Sequence, residues 1–361
     1  MVTRRAGAGE LTVDIRMIRD RHQPDRNLVP RRRLVTLILA AAFVATACDG
    51  GRPATPSAAS AATSGPSAAA DPSPSISSLT LPGGRLVYAQ FIGEVGSLFT
   101  SNPDGTDITP LLPTGTGELP RWSPDGRHIS IVAENGDGLV FVGLVDPDGS
   151  HYVQFDSPDP TLNLGCFAWS PDGSRLGCEG WDDTDLSRNG IYTVRASDGG
   201  DLTRVTTSPD GAHDIPNDYS PDGHQIVFQR QKPLDEVNTA LMVVNVDGSG
   251  ARALSDQKLG NGRWSPDGKT ILTGAGVEAE KLLLVPIDGG EIRTIEILSD
   301  DSPRTAFFAS WSPDGEWIVL SGRTPHDVDL FIVRVDGTRL HQVTDTPGKY
   351  EDAADWGVPA P

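Results

Sequence analysis

The pentapeptide Trp122-Ser-Pro-Asp-Gly126 decides the fold of this chain, because it recurs along most of the sequence. Four further copies and one partial copy follow, and they begin at Trp169, Tyr219, Trp264, Trp311 and Trp356. Consecutive copies begin 45 to 50 positions apart. A period of this length, with strand-like sequence between the repeats, is typical of the blades of a β-propeller.

Each copy of the pentapeptide predicts a tight turn between two strands. Proline presets φ for the first turn position, aspartate tolerates the second, and glycine adopts the left-handed third. After the turn, apolar residues alternate with others, as at Ile129 and Ile131, which is the period of a β-strand. We therefore expect one strand to end at each aromatic residue and another to follow each glycine.

A second kind of turn divides the rest of each repeat. An apolar run, such as Leu139 to Val145, leads to an Asp-Gly pair, and a more polar strand follows it. The six pairs are Asp104-Gly105, Asp148-Gly149, Asp198-Gly199, Asp247-Gly248, Asp288-Gly289 and Asp336-Gly337. The sequence thus predicts an all-β fold, a six-bladed β-propeller with four antiparallel strands in each blade.

One blade is expected to contain both ends of the propeller. Residues Arg85 to Ala89 match the strand that follows the pentapeptide elsewhere, but no pentapeptide precedes them. The segment around Trp356 supplies the missing strand, so the first and last segments share a blade. Closure of this kind removes exposed sheet edges.

Trp181 lies outside the repeated aromatic position. It begins the polar segment Trp181-Asp-Asp-Thr184. We therefore expect Trp181 to be a surface anchor, whereas the repeated tryptophans pack in the core.

The N-terminal segment has the pattern of an export signal. Residues 1–33 contain nine arginines, residues 34–47 carry no charge, and Cys48 follows. The uncharged stretch is shorter than the roughly 20 residues of a membrane-spanning helix. Because Ala45-Thr46-Ala47 resembles a bacterial lipobox, we expect residues 1–47 to be a lipoprotein signal peptide and Cys48 to be lipidated. An ordinary secreted protein with an incidental Cys48 is the alternative.

The next segment is predicted to be a disordered tether over residues 48–82, since alanine, serine and proline dominate it. The propeller then occupies 83–361. The formal net charge of the chain is −19, which argues against nucleic acid as a partner and against any membrane contact besides the lipid anchor. We expect an exported monomer, anchored at the extracytoplasmic face of the cell membrane.

The two remaining cysteines are predicted to form a disulfide within one blade. If Ser170 pairs with Ser174 across the turn, Cys166 lies opposite Cys178. Directly opposed residues of a hairpin are within disulfide reach, and export permits oxidation. Two buried free thiols are the alternative.

The repeated pentapeptide, together with the downstream Asp-Gly turn, resembles the TolB-like family of β-propellers, which is related in style to the WD-repeat proteins. The resemblance covers about residues 83–361. TolB itself belongs to the Tol-Pal envelope system and carries an α/β domain before its propeller, whereas a tether precedes the propeller here. The resemblance therefore implies a lipid-anchored relative rather than the role of TolB proper.

Sequence motifs for catalysis are absent. The chain has no Gly-x-Ser-x-Gly elbow, phosphate-binding glycine loop, His-Glu-x-x-His or Cys-x-x-Cys. We therefore expect no catalytic residue, no metal and no cofactor.

Binding is predicted at the mouth of the propeller channel, where loops lead into the innermost strands. The residues expected to line it are Glu118, Arg121, His213, Asp214, Asp218, Arg263, Glu351, Asp352 and Asp355. Their acidic excess suits a cation or a basic peptide, and solvated loop charges are the alternative.

The leading functional hypothesis is a protein-binding scaffold at the cell envelope. The alternative is a receptor for a glycan or small ligand, or a carbohydrate-active lyase, that uses the channel mouth. Arginine, histidine and tyrosine side chains facing inward from several blades would favour the alternative.

Overall fold

The computed structural model describes residues 81–360, with gaps at 94, 114–116, 135–139, 156, 233–234, 276–280, 298–302, 304 and 326. The predicted signal peptide, Cys48 and the tether up to residue 80 lie outside the described residues. Within the described part, the chain consists of β-strands, connecting turns and two 3-10 helices, Leu186–Arg188 and Pro209–Gly211. The predicted all-β class is confirmed.

Most of the 23 described strands belong to groups of four, and the outermost strand of most groups is short. They are β1 (Arg85–Ile92), β2 (Val95–Ser101), β3 (Thr109–Pro110), β4 (Glu118–Trp122), β5 (Ile129–Glu134), β6 (Val140–Val145), β7 (Val153–Gln154), β8 (Asn163–Trp169), β9 (Arg175–Trp181), β10 (Gly190–Arg195), β11 (Thr203–Arg204), β12 (His213–Tyr219), β13 (Gln225–Lys232), β14 (Asp235–Asn245), β15 (Arg252–Trp264), β16 (Thr270–Ala275), β17 (Leu282–Pro286), β18 (Arg293–Ile295), β19 (Ala306–Trp311), β20 (Trp317–Arg323), β21 (Val328–Arg334), β22 (His341–Gln342) and β23 (Tyr350–Gly357).

Neighbours in sequence are generally neighbours in the sheets, and the pairing is antiparallel apart from one parallel contact, between Val328 on β21 and Tyr350 on β23. Strands β4 to β7 form one four-stranded sheet, and β8 to β11 form another. Strands β12 to β18 are continuous, because the long strand β15 pairs with β14 near Arg252 and with β16 from Leu259 onward. Strand β15 is thus the outer strand of one group and the innermost strand of the next.

The two ends of the described chain pair with each other. Strand β23 runs antiparallel to β1, with Leu86 opposite Trp356. Both residues are buried and pack in one cluster with Tyr88 and Trp317. The strand order β23, β1, β2, β3 therefore joins the last described strand to the first three described strands.

The core lies between adjacent sheets. Leu164 on β8 and Leu176 on β9 pack against Phe141 on β6, and all three are almost completely buried. Burying such a side chain contributes about 1.5–3 kcal/mol to the stability of the fold. The alternating apolar residues of the sequence are the ones that fill this space.

The pentapeptide turns are held by their own side chains. The Ser123 hydroxyl donates to Asp125 Oδ1 at 2.7 Å and accepts the His128 N–H at 2.9 Å. Gly126 has a φ of 68° and donates its N–H to the Ser123 carbonyl. The serine-to-aspartate bond recurs in the other four complete copies. This bond is also the main reason why the pKa of Asp125 lies below its ordinary value.

The prediction that Trp181 is a surface anchor is wrong. Trp181 ends strand β9, and only 7% of it is exposed. The polar residues after it turn away into a network in which Asp182 binds Arg188 at 2.7 Å. A single large aromatic residue at a strand end is packed even when polar residues follow it.

Candidate functional site

The six residues that precede the repeated aromatic positions line one cavity of about 240 Å³. Each lies near the end of an innermost strand: β4, β8, β12, the second half of β15, β19 or β23. In chain order they are Arg121, Ala168, Asp218, Arg263, Ser310 and Asp355. Aromatic walls come from neighbouring residues such as Phe167, Trp169 and Tyr219.

The order of these six residues repeats after three strands. An arginine is followed by a small residue and then by an aspartate, first in Arg121, Ala168 and Asp218 and again in Arg263, Ser310 and Asp355. Two guanidinium groups and two carboxyl groups therefore line the same cavity.

The two cavity aspartates tie adjacent innermost strands together. Asp355 Oδ2 accepts the backbone N–H of Trp122, and Asp218 Oδ2 accepts that of Trp264, both at 2.9 Å. The Ser310 hydroxyl also donates to Asp355 Oδ1 at 2.8 Å. Alanine occupies the corresponding position 168, and Asp218 Oδ1 has no hydrogen-bond partner among the described residues. Burial raises the pKa of Asp218 to about 6.

The two cavity arginines have no carboxylate partner in the described part of the chain: no such oxygen lies within 4.0 Å of either guanidinium. Arg121 Nη1 donates to the carbonyls of Pro120 and Ala353, and Arg263 Nη1 donates to the Asn217 carbonyl at 2.7 Å. Arg121 Nε is buried, and no described residue provides an acceptor for it. Burial and the positive charge of Arg263 together lower the pKa of Arg121 to about 9.

A backbone bulge precedes the cavity residue in every innermost strand. In four strands the residue two positions earlier has a positive φ of 44° to 54°; these residues are Leu119, Asn261, Phe308 and Ala353. A left-handed conformation at a non-glycine residue costs on the order of 1–3 kcal/mol. The remaining strands have Cys166 and Pro216 at this position, and the proline ring itself forbids a positive φ.

The bulges redirect side chains along the innermost strands. Residues three apart on a regular strand face opposite sides of the sheet, and a bulge changes that alternation. Glu118 and Arg121 are three apart on β4, yet the charge of Asp352 acts on both. The bulge therefore lets both side chains approach the same neighbouring strand.

Glu118 and Asp352 form a second group, separated from the cavity residues by the bulge in each of their strands. They occupy equivalent positions on β4 and β23, three residues before Arg121 and Asp355. Burial raises the pKa of Asp352 to about 7, and burial together with the charge of Asp352 raises that of Glu118 to about 7. Glu118 Oε2 is buried with no hydrogen-bond partner among the described residues.

Three other predicted residues bind within the sheets and are not among the cavity-lining residues. Asp214 accepts two bonds from Arg230, at 2.6 and 2.8 Å, and Glu351 accepts one from Gln90 at 2.7 Å. His213 Nδ1 lies 2.7 Å from Glu179 Oε1. Burial alone would lower the pKa of His213, but the hydrogen bond and charge of Glu179 outweigh it, so the pKa is raised.

Of the nine predicted mouth residues, the structure places four in the cavity: Arg121, Asp218, Arg263 and Asp355. The sequence reasoning did not select Ala168 and Ser310. Their position in the sequence identifies them, because each stands directly before a repeated aromatic residue, as the four charged cavity residues do.

The structure has a disulfide between Cys166 on β8 and Cys178 on β9. Cys166 occupies the bulge position, two residues before Ala168. The bond thus fixes the innermost strand of this blade to its neighbour close to the cavity.

Among the described residues, no group of three or more histidine, cysteine, aspartate or glutamate side chains is arranged to hold a metal ion. No helix among those residues is long and apolar enough to cross a membrane.

Four-stranded antiparallel units whose innermost strands line a common cavity define a β-propeller. The chain belongs to the TolB beta propeller domain family, whose sequence model matches residues 98–358. The resemblance noted from the pentapeptides is thus confirmed.

Similar proteins include an uncharacterized protein of Agrobacterium fabrum, which is 27% identical over 55% of this chain and 82% of its own length. TolB from Acinetobacter baumannii superposes with a TM-score of 0.61 and 20% identity, covering 76% of this chain and 67% of that one. A putative TolB from Agrobacterium tumefaciens has a TM-score of 0.54 and 16% identity, covering 76% and 99%. The two solved structures share the fold.

Proposed function

We propose that this protein is a binding propeller displayed at the cell envelope, where it serves as a scaffold for a protein partner. In this proposal the chain is exported, lipidated at Cys48, and joined to a six-bladed propeller over 83–361 by the tether 48–82. The observation that carries the proposal is the convergence of six equivalent inner-strand residues on one cavity. A partner can bind at such a channel mouth without any catalytic residue.

Strand pairing supports the six blades and their closure. The groups begin at β4, β8, β12, the second half of β15, β19 and β23, and each leads outward through three further strands. The group that begins at β23 continues into β1 because the two ends of the chain pair. The six inner strands, together with the strands that follow each of them outward, include all the described strands.

The Glu118 and Asp352 pair is the part of the mouth that suits a protein partner. Glu118 Oε2 is buried and lacks a donor, which costs free energy until a donor reaches it. A basic side chain of a partner, inserted between the two carboxyl groups, would supply donors and favour their charged forms. The partner is therefore expected to present a lysine or arginine at the mouth.

The experiment is crosslinked capture from native membranes with the full-length protein as bait. A double variant, Glu118→Gln with Asp352→Asn, removes the acidic pair. A matched control, Glu291→Gln with Asp256→Asn, makes the same charge change at exposed positions. A partner retained by the wild type and the control, but lost with the mouth variant, supports the proposal. Equal capture by all three baits contradicts it.

A second candidate function is a receptor for a small ligand. The presence of two inward-facing arginines and Tyr219 around the cavity favours it, since such side chains on several strands are what this alternative requires.

A further inference from the structure

The guanidinium groups of Arg121 and Arg263 share one cavity, and neither forms an ion pair within 4.0 Å among the described residues. Buried charges in proteins are normally paired, because an unpaired buried charge costs several kcal/mol. Both groups keep donors that no described residue accepts, since each uses only Nη1 in hydrogen bonds. The cavity is therefore rich in unused cationic donors.

Other enclosed arginines of the described chain differ in this respect. Arg230 binds the buried Asp214 through two atoms, at 2.6 and 2.8 Å, and Arg188 binds the buried Asp182 at 2.7 Å. Those pairs show how the fold satisfies an arginine that serves structure alone. Arg263 is only 8% exposed and has no such partner.

The charges of the nearby aspartates act on Arg121 from a distance, but among the described residues neither Asp218 nor Asp355 hydrogen-bonds to a cavity guanidinium. Asp355 and Asp218 each direct Oδ2 at a backbone N–H of the next innermost strand, and Ser310 occupies the other oxygen of Asp355. Of the four carboxylate oxygens of Asp218 and Asp355, only Asp218 Oδ1 has no hydrogen-bond partner among the described residues. The cavity thus offers many donors and a single free acceptor.

We propose that the cavity binds a small carboxylate, held between the guanidinium groups of Arg121 and Arg263. The planar fork of a guanidinium matches a carboxylate in a bidentate manner. A volume of about 240 Å³ lies below the range of drug-sized ligands, so the ligand is a small metabolite. Asp218 Oδ1 adds a preference for a carboxylate whose neighbouring carbon carries a hydroxyl or ammonium donor.

This inference deepens the second candidate function and does not depend on the partner proposed for the scaffold. Carboxylate binding rests on the two arginines, whereas partner capture rests on Glu118 and Asp352. Failure of either measurement therefore leaves the other intact.

The test is calorimetric titration of the full-length protein with lactate, alanine and propionate, at constant ionic strength set by sodium chloride. These probes share a carboxylate and differ in the neighbouring donor, and lactamide serves as the uncharged control. We expect lactate and alanine to bind more tightly than propionate, and lactamide not to bind. Absence of carboxylate binding, or equal binding of lactamide, overturns the proposal.

Variants of the two arginines test whether the carboxylate binds in this cavity. Arg121→Gln and Arg263→Gln are each expected to weaken lactate binding by about tenfold or more, since a charged hydrogen-bonded pair is lost. Arg127→Gln removes an exposed arginine of the pentapeptide turn and is expected to leave binding unchanged. If a glutamine variant does not fold, Arg263→Lys keeps the charge and removes the fork. Unchanged binding in the folded cavity variants refutes the assignment.

Discussion

Asp355 accepts the backbone N–H of Trp122 at 2.9 Å and so joins the last strand of the chain to the innermost strand β4. The same bond joins Asp218 to Trp264. The cavity carboxylates thus act first as ties between adjacent blades. This dual position, in the cavity and at the blade junction, has consequences for stability as well as for binding.

Asp355→Ala should lower the free energy of unfolding by about 2 kcal/mol, because a backbone N–H and the Ser310 hydroxyl both lose their acceptor. Asp218→Ala should cost about half as much, since only the N–H of Trp264 depends on it. Urea denaturation measures both values. Asp256→Ala, at an exposed position, is the control, and equal losses at 355 and 256 would contradict the tie.

Asp352→Asn should change how stability depends on pH. The folded-state pKa of Asp352 is raised from 3.8 to about 7, so the folded protein retains a proton that the unfolded chain releases. Stability therefore falls as the pH rises from about 4 to about 7. The variant lacks this titration and should lose less stability over that window, by on the order of 4 kcal/mol for a shift of about three pKa units.

Thermal unfolding of the wild type and Asp352→Asn between pH 4.5 and 7.5 tests this expectation. Because Asp352 and Glu118 interact, the wild type should titrate as a pair rather than as two independent groups. Parallel stability curves for the two proteins would show that Asp352 does not titrate in this range.

Ala353→Gly should stabilise the protein by up to about 1 kcal/mol, because Ala353 has a φ of 54° and glycine adopts that conformation without strain. Ala354→Gly is the matched control at the next residue, which is equally buried and has no positive φ. The control should destabilise the protein by about 1 kcal/mol. Melting temperatures that shift in the same direction would rule out strain at the bulge.

The Cys166 and Cys178 pair should resist alkylation in the denatured, unreduced protein and react only after reduction, as mass spectrometry would show. The bond closes a loop of 12 residues, so Cys166→Ser with Cys178→Ser should cost about 2–3 kcal/mol of stability. Alkylation of both residues without reductant would instead indicate free thiols.

Deletion of Trp356 to Pro361 should destabilise the whole propeller rather than one sheet. The deletion removes the pairing of Trp356 with Leu86 and the bond from the Ala360 N–H to Gly126. A single cooperative transition at a lower temperature is expected by calorimetry. An unchanged melting temperature would count against six blades closed by the chain ends.

The repeated pentapeptides were sufficient to predict the turns and the strand after each glycine, because proline, aspartate and glycine have strong local preferences. The bulges could not be predicted in the same way. Leu119, Asn261, Phe308 and Ala353 share no chemical property, so their conformation is imposed by the packing of the inner strands. The type of side chain at these positions therefore does not predict the bulge.

The candidate site was predictable only in part, for a related reason. Arg121 and Asp355 stand directly before a repeated aromatic residue and line the cavity. Asp214 and Glu351 stand five residues before one, and they bind Arg230 and Gln90 within the sheets. Which charged residues remain unpaired depends on distances between strands that are remote in sequence, and no local pattern reports them.

In the proposed six-bladed ring, the repeated order of the cavity residues gives the channel a rotational pseudo-symmetry axis. Half a turn about it exchanges Arg121 with Arg263 and Asp218 with Asp355, while Ala168 takes the place of Ser310. A ligand in the cavity therefore meets nearly the same surroundings in two opposite orientations. Among these six residues, the Ser310 hydroxyl alone breaks the equivalence. Because it donates to Asp355 Oδ1, the free acceptor lies on Asp218, and the proposed ligand would turn its donor toward that side.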